Sequence, residues 1–80
     1  MELTVITPRG IRCNVQVDKA TLPGSQGSFM VMANHAPLLS TLRNGTIRYT
    51  ARGDAEEKEI EVQDGIVEVR QNKIWVFTEH

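Results

Sequence analysis

The chain has 80 residues, with nine Lys or Arg against ten Asp or Glu and a formal net charge of −1. This balance gives no electrostatic reason to expect nucleic acid or an anionic membrane surface as a partner. The length allows one domain, which buries only about 60–65% of the unfolded surface, so help from a partner would be unsurprising. Cys13 is the only cysteine, which excludes an internal disulfide and favours a reducing compartment.

The first part of the chain predicts a β-hairpin. Residues 3–7 form the first predicted strand, and residues 8–10 (Pro-Arg-Gly) supply the turn. From Ile11 to Asp18 apolar and polar residues alternate strictly, which is typical of a half-buried strand. We therefore expect one apolar face on this second strand, formed by Ile11, Cys13, Val15 and Val17.

The stretch 22–42 breaks this alternation, and loops on a rigid scaffold often carry binding surfaces. Leu22, Pro23 and Gly24 predict a turn, Gly27 is a second position that tolerates positive φ, and residues 29–32 predict a short strand.

A tight bend is predicted around His35. Asn34 enters the left-handed region readily, and Pro37 drives Ala36 toward an extended conformation. Taken alone, this pattern makes His35 an ordinary turn residue that holds the bend through a backbone hydrogen bond.

The second half of the chain predicts four strands, at residues 46–51, 59–62, 66–70 and 73–78. Turn signals precede each of them: Asn44-Gly45, Gly53-Asp54, Asp64-Gly65 and Gln71-Asn72. No window shows a helical period, so the fold class is all-β, a sandwich or flattened barrel of short strands. The inner faces are expected to include Val5, Val15, Val17, Ile47, Ile60, Val67, Val69 and Val76.

Catalytic, metal and phosphate sites find little support in the sequence. Cys13 and His35 are the only pair that suggests nucleophilic catalysis, and Cys13 on an apolar strand face is better interpreted as a core side chain. His35 and His80 are too few for a metal site, and no Lys-Ser or Lys-Thr follows Gly27 as a phosphate loop requires. We predict no catalytic residue, no cofactor and no metal.

The last predicted strand is apolar on both faces. Ile74 and Val76 lie on one face, and Trp75 and Phe77 lie on the other. Core packing is one interpretation of the second pair. The alternative is a partner surface, because a monomer normally hides a patch that contains an outward Trp.

Two motifs in the sequence match a known family. The run LPGSQGSFMVMANHAPLLSTLRNGTIR resembles the LPG-x-x-G loop followed by HAPLL-x-x-L-x-x-G of the ε subunit of F-type ATP synthases, called δ in mitochondria. The run DGIVEVRQNKIWVF is similar to the closing hairpin of the same family. With ITPRG near the start, the resemblance covers residues 1–80.

The resemblance implies a ten-stranded antiparallel β-sandwich that serves as a non-catalytic rotor part of the central stalk. Such a domain docks on the γ subunit, rests its lower loops on the membrane c-ring, and so couples ion translocation to ATP synthesis. Carried over by position, the c-ring-facing loop would consist of Gly24, Ser25, Gln26, Gly27 and Ser28. The γ interface would consist of Thr7, His35, Ala36, Pro37, Leu39, Ser40 and Leu42.

The sequence departs from the family pattern at three places. Ser28 replaces an acidic residue, which disfavours a salt bridge to the c-ring there, and Met30 and Asn34 stand where relatives have glycine. We expect Asn34, but not Met30, to adopt the left-handed conformation. Typical members continue into a helical hairpin that restrains ATP hydrolysis; this hairpin is absent from residues 1–80, so its role is not expected of them.

The alternative function is a free-standing β-sandwich carrier or small-ligand-binding module. A carrier would need an exposed lysine at a hairpin tip, and Lys73 lacks the flanking methionines of such carriers. No apolar run approaches the roughly 18 residues of a membrane span, and no export or transit signal begins the sequence. The expected location is the cytoplasmic side of a bacterial inner membrane, peripheral and bound through the complex.

Overall fold

The computed structural model describes residues 1–80, and all regular elements in it are β-strands. The all-β prediction is therefore confirmed, although the strands number eight rather than ten. Their bounds are β1 Glu2–Thr7, β2 Gly10–Gly24, β3 Gly27–Met32, β4 Leu38–Leu42, β5 Gly45–Ala51, β6 Glu57–Val62, β7 Gly65–Arg70 and β8 Lys73–Thr78.

The strand β2 explains much of the difference in number, because it runs for 15 residues without interruption and serves two layers. Its first half pairs with β1, and its second half pairs with β3 and β5. Sheet one contains β4, β7, β8, β1 and the first half of β2, whereas sheet two contains β3, the second half of β2, β5 and β6. The two layers enclose a single core.

The predicted antiparallel arrangement holds for every strand pair except β1 and β8, which are parallel neighbours. Glu2 lies beside Lys73 and Ile6 beside Phe77, so the first and last strands close sheet one. Strands this far apart in the sequence are not joined by a tight turn. No local sequence signal therefore reveals their pairing.

A β-bulge changes the face on which Ile11 lies. Val5 pairs with Cys13 but Ile6 pairs with Ile11, so β2 places one extra residue, Arg12, opposite β1. A bulge shifts the alternation of side chains by one position. The prediction that Ile11 shares a core face with Cys13 is consequently wrong: its side chain is 69% exposed, whereas Cys13 packs against the core.

The predicted turn at Leu22, Pro23 and Gly24 is also wrong, because these residues form the end of β2. The turn begins after Gly24 and consists of Ser25 and Gln26, between the paired residues Gly24 and Gly27. Pro23 lies next to that closing pair, so its missing N–H removes no hydrogen bond to β3.

Asn44 does not form a hairpin turn, since β4 and β5 are not paired. Instead, Arg43 and Asn44 carry the chain from sheet one to sheet two, and Gly45 begins β5. A second crossing, at Gln63-Asp64, returns the chain to sheet one. The side-chain oxygen of Asn44 accepts the backbone N–H of Asp64 at 2.9 Å and joins the two crossings.

Most of the predicted core is confirmed. Six of the eight named residues are fully buried: Val5, Val17, Ile47, Val67, Val69 and Val76. The other two, Val15 and Ile60, are partly buried and pack against the same cluster. Asn34 adopts a φ of 66° and Met30 does not enter the left-handed region, as expected from their side chains.

The sandwich has two ends. We call one of them the foot end, and it carries the turns at 8–9, 25–26, 43–44 and 63–64. These turns lie together because the strand ends beside them form one row, in which Leu42 pairs with Gly65 and Gly65 pairs with Thr78. The head end carries the loop 33–37, the connection 52–56 and the turn 71–72. The molecule has principal extents of 29 × 24 × 20 Å, and it contains no helix long and apolar enough to cross a membrane.

Candidate functional site

The outer face of sheet one carries an apolar surface. Two rows of cross-strand neighbours build it: the first joins Leu39, Glu68 and Trp75, and the second joins Ile66, Phe77, Ile6 and Ile11. Alternation along each strand turns these side chains away from the core. We define the apolar face as Ile6, Ile11, Leu39, Ile66, Trp75 and Phe77.

This surface is too exposed to be an extension of the core. Leu39 is 72% exposed, and Ile66 and Phe77 are 47% and 45% exposed. Contiguous apolar surface of this kind on a small monomer marks an interaction site. The family resemblance alone had selected only Leu39 from this face.

Charged groups lie within and beside the apolar face toward the head end: Glu68 stands between Leu39 and Trp75, and Arg70 and Lys73 form the next row. Glu68 Oε2 lies 3.3 Å from Arg70 Nε, and Lys73 Nζ lies 6.0 Å from the centre of the Trp75 ring. An apolar centre with a polar rim is the usual anatomy of a protein interface.

The outer face of sheet two is different in character. Arg48 pairs with Glu59 at 3.1 Å, and Lys19, Thr50 and Glu57 form the next row across the strands. Its exposed apolar residues, Met30 and Met32, lie on the edge strand β3. The main apolar surface therefore belongs to sheet one.

The predicted c-ring-facing loop is a hairpin tip at the foot end. Ser25, Gln26, Gly27 and Ser28 are exposed, and Gly27 uses a positive φ of 128° to close the turn. Gly24 is instead buried in β2, where an added Cβ would meet the Phe29 ring at 2.9 Å and the Gly27 carbonyl oxygen at 2.6 Å. Only the four residues after Gly24 are accessible to a partner.

Three hydrogen bonds hold this tip against β4. The N–H of Ser25 donates to the carbonyl of Thr41 at 3.0 Å, and the N–H of Arg43 donates to the carbonyl of Pro23 at 3.0 Å. The Thr41 hydroxyl donates to Ser25 Oγ at 2.8 Å. The tip and sheet one are consequently one rigid piece at this end.

A groove runs between the tip and β4. One wall consists of Gly24 and residues 26–29, and the other consists of residues 38–41. Leu39 and Ser40, predicted for one partner, thus lie next to Gln26, Gly27 and Ser28, predicted for the other.

His35 lies at the head end, away from the hairpin tip. Its N–H donates to the carbonyl of Met32 at 3.2 Å, and its Nδ1 lies 2.6 Å from the Ala36 carbonyl oxygen. The neighbouring N–H of Asn34 donates to Asn72 Oδ1 at 2.9 Å and ties this loop to the β7–β8 turn. His35 therefore holds the bend as expected, and like Ala36 and Pro37 it is exposed.

Two residues of the predicted γ interface occupy other surroundings. Thr7 is at the foot end, where its hydroxyl donates to the Gly10 carbonyl at 3.3 Å in the β1–β2 turn. Leu42 is 3% exposed and belongs to the core, because it faces inward from β4. The prediction of Leu42 as a contact residue is therefore wrong.

Cys13 is half-buried, and its desolvation raises the pKa of the thiol despite an opposing effect of Arg12. No group of three His, Cys, Asp or Glu side chains is placed to hold a metal ion. Lys73 begins β8 after the turn at Gln71-Asn72, so it is not at the tip where a carrier lysine would stand.

The sequence contained a signal for most of the apolar face. The apolar residues on both faces of β8 left core packing and a partner surface open for Trp75 and Phe77, and the structure turns both side chains outward. The outward orientation of Ile66 could also be inferred, because a hairpin with its turn at residues 71–72 pairs Ile66 with Phe77. The outward orientation of Ile11 could not be predicted from the sequence, because it depends on the bulge opposite Ile6.

Together, these features define a small β-sandwich domain with an exposed apolar face on one sheet and a rigid hairpin tip at one end. Comparison with known families is specific: the family of ATP synthase delta/epsilon chain β-sandwich domains matches residues 1–80. The chain belongs to this family.

Curated relatives agree with this assignment. The chain is 36% identical over 80 residues to the ATP synthase epsilon chain of Leptospira borgpetersenii and 36% identical over 77 residues to that of Desulfitobacterium hafniense. It spans 61% and 57% of the length of these two relatives.

Solved structures agree on the fold. The central stalk and c-ring structure of the Tetrahymena thermophila mitochondrial ATP synthase contains a chain that matches all of this one, and 63% of its own length, with a TM-score of 0.83 at 18% identity. A chain of the Euglena gracilis mitochondrial ATP synthase matches 98% of this one, and 49% of its own length, with a TM-score of 0.84 at 17% identity.

Proposed function

We propose that this chain is a non-catalytic rotor subunit of the central stalk of an F-type ATP synthase. In this role it binds the γ subunit through one surface and the membrane c-ring through another. The observation that carries the proposal is the apolar face of sheet one, which a free monomer would leave in water. The family membership supplies the partners that would cover it.

The γ subunit is the proposed partner of the apolar face and of the loop at His35. Ile66, Phe77 and Ile6 lie on the three inner strands of sheet one and provide the desolvated centre. Lys73 and Arg70 provide part of the rim. His35, Ala36 and Pro37 extend the contact at the head end, and the exposed loop there is fixed by the Asn34–Asn72 hydrogen bond. Burial of large apolar side chains would supply most of the binding free energy.

The c-ring is the proposed partner of the hairpin tip. Ser25, Gln26, Gly27 and Ser28 are exposed polar or small residues, which suits contact with polar loops of the ring. None of them is charged, so this contact would rely on hydrogen bonds rather than on ion pairs.

Torque transmission between the two partners requires a stiff connection rather than tuned pKa values. The three hydrogen bonds between the hairpin tip and β4 provide that connection, because β4 also carries Leu39. The subunit would lie at the cytoplasmic side of a bacterial inner membrane and be held there through the complex. The bacterial origin of its curated relatives supports this location.

Recovery with purified γ subunit tests the proposal. Tagged chain should retain γ in a one-to-one complex, and a chain with Phe77→Asp should not. Ala55→Asp, which adds the same carboxylate to the exposed β5–β6 connection, serves as the matched control and should retain γ. Failure of the unaltered chain to recover γ would favour the carrier-module alternative.

A further inference from the structure

Two strand edges meet at the groove beside the hairpin tip without a strand between them. β3 pairs along its whole length with β2 and with no other strand. β4 pairs along its whole length with β7, but on its other side only Leu42 has a partner, Gly24. We refer to the open space between β3 and residues 38–41 as the seam.

The backbone of β4 offers hydrogen-bonding groups to the seam. The Thr41 carbonyl points away from β7, since it accepts the N–H of Ser25. Alternate residues of a strand direct their backbone groups to the same side, so the N–H and C=O of Leu39 and the N–H of Thr41 also point into the seam. Ser40 has the opposite orientation and bonds to its partner Val67 in β7.

The seam lacks the charges that usually protect an exposed edge. Residues 20–42 contain no Asp, Glu, Lys or Arg, although these types make up 24% of the chain. The edge strand β6 is protected in the usual way, with Glu57, Lys58, Glu59 and Glu61. An unprotected edge readily pairs with a further strand, which indicates that this one is covered in the assembled protein.

Continuity with the apolar face identifies the occupant. Leu39 directs its side chain to that face, where it is 72% exposed, and its backbone to the seam. A partner that contacts the Leu39 side chain therefore already lies at the edge of β4. The occupant must be uncharged, because the seam offers no opposite charge to compensate the desolvation of an ionised side chain.

We propose that an extended, uncharged segment of the γ subunit adds as a strand to the free edge of β4. This inference rests on the proposed function, and it specifies the way in which the partner is bound. Strand addition of this type gains affinity from backbone hydrogen bonds and specificity from alternate side chains.

Amide hydrogen exchange of the unaltered chain, free and in complex with γ, tests the proposal. In the free chain the N–H groups of Leu39 and Thr41 should exchange quickly, and the complex should slow them by about a hundredfold or more, since they become hydrogen-bonded. Ser40 provides the internal control, because its amide is already bonded to β7 in the free chain.

A pair of lysine substitutions gives a second readout. Ser28→Lys places an ammonium group in the seam and should weaken γ binding by about tenfold or more. Ala55→Lys adds the same charge at the head end and should leave binding unchanged. Unslowed exchange at Leu39 and Thr41, or equal binding by both variants, would overturn strand addition while leaving the proposed function intact. No binding by the unaltered chain would instead overturn the proposed function, and strand addition with it.

Discussion

Phe77 gives the sharpest test of the docking role that we propose for the apolar face. The residue is 45% exposed, with Ile66 on one neighbouring strand and Ile6 on the other. Complete burial of a Phe side chain is worth about 3 kcal/mol, so covering the exposed part contributes about 1 kcal/mol to binding. A carboxylate at this position would also be desolvated without a partner, which costs about 2 kcal/mol or more.

Together these terms predict that Phe77→Asp weakens the binding of γ by about 3 kcal/mol, a factor of about 100 in Kd. The folded state should survive, because the ring points away from the core. Isothermal titration calorimetry gives the affinity, and circular dichroism confirms the fold of the variant.

Phe77→Leu and Ala55→Asp are the controls for this measurement. The first keeps an apolar side chain on the face and should change the affinity only a few-fold, and the second places the carboxylate on an exposed connection. If folded Phe77→Asp binds γ as tightly as the unaltered chain, the apolar face is not the docking surface.

The remaining predictions concern stability and reactivity. Leu42→Ala should lower the free energy of unfolding by about 2–5 kcal/mol because Leu42 is 3% exposed, and Leu39→Ala on the outer face should change it by less than about 1 kcal/mol in the same thermal melts. Gly65→Ala should destabilise by about 2 kcal/mol or more, since its Cβ would overlap the backbone carbonyl of the neighbouring strand β8; a melting temperature equal to that of the unaltered chain would contradict this packing. Asn72→Gly keeps the left-handed turn but removes the acceptor for the 33–37 loop, so exchange of the Asn34 amide should accelerate while melting changes little. Burial raises the pKa of Cys13, so its thiol should react with iodoacetamide at about pH 8 more slowly in the folded chain than in urea. Equal iodoacetamide rates in the folded chain and in urea would refute the raised pKa of Cys13. The same shift means that the contribution of this thiol to stability is complete below the pKa of the unfolded thiol and is lost as the pH rises through the higher folded value.

Strand alternation and turn chemistry predicted much of the fold. Period-two patterns located β1, β5, β7 and β8, and six of eight expected core residues are fully buried. These features are local, since a half-buried strand and a glycine turn are specified by neighbours in sequence. The parallel contact of β1 with β8 was out of reach, because it joins residues about seventy positions apart.

The candidate site was only partly predictable, for two physical reasons. Sequence cannot say which face of a strand is covered when both are apolar, and the bulge at Arg12 reversed the face of Ile11. Position within a motif does not report burial either, since Leu42 ends the HAPLL-x-x-L pattern yet faces the core. Leu39 does offer exposed surface, because β4 turns it outward opposite Glu68, and its contact with γ stays a prediction.

Site-specific photo-cross-linking in the assembled complex would identify the subunit that lies against each of the two proposed contact surfaces. One cross-linkable residue would replace Gln26 on the hairpin tip, and in a separate chain another would replace Phe77 on the apolar face. The proposed arrangement of the subunit predicts a product with the c-ring subunit from position 26 and a product with γ from position 77. Exchange of the two products, or the absence of both from an assembled and active complex, would contradict it.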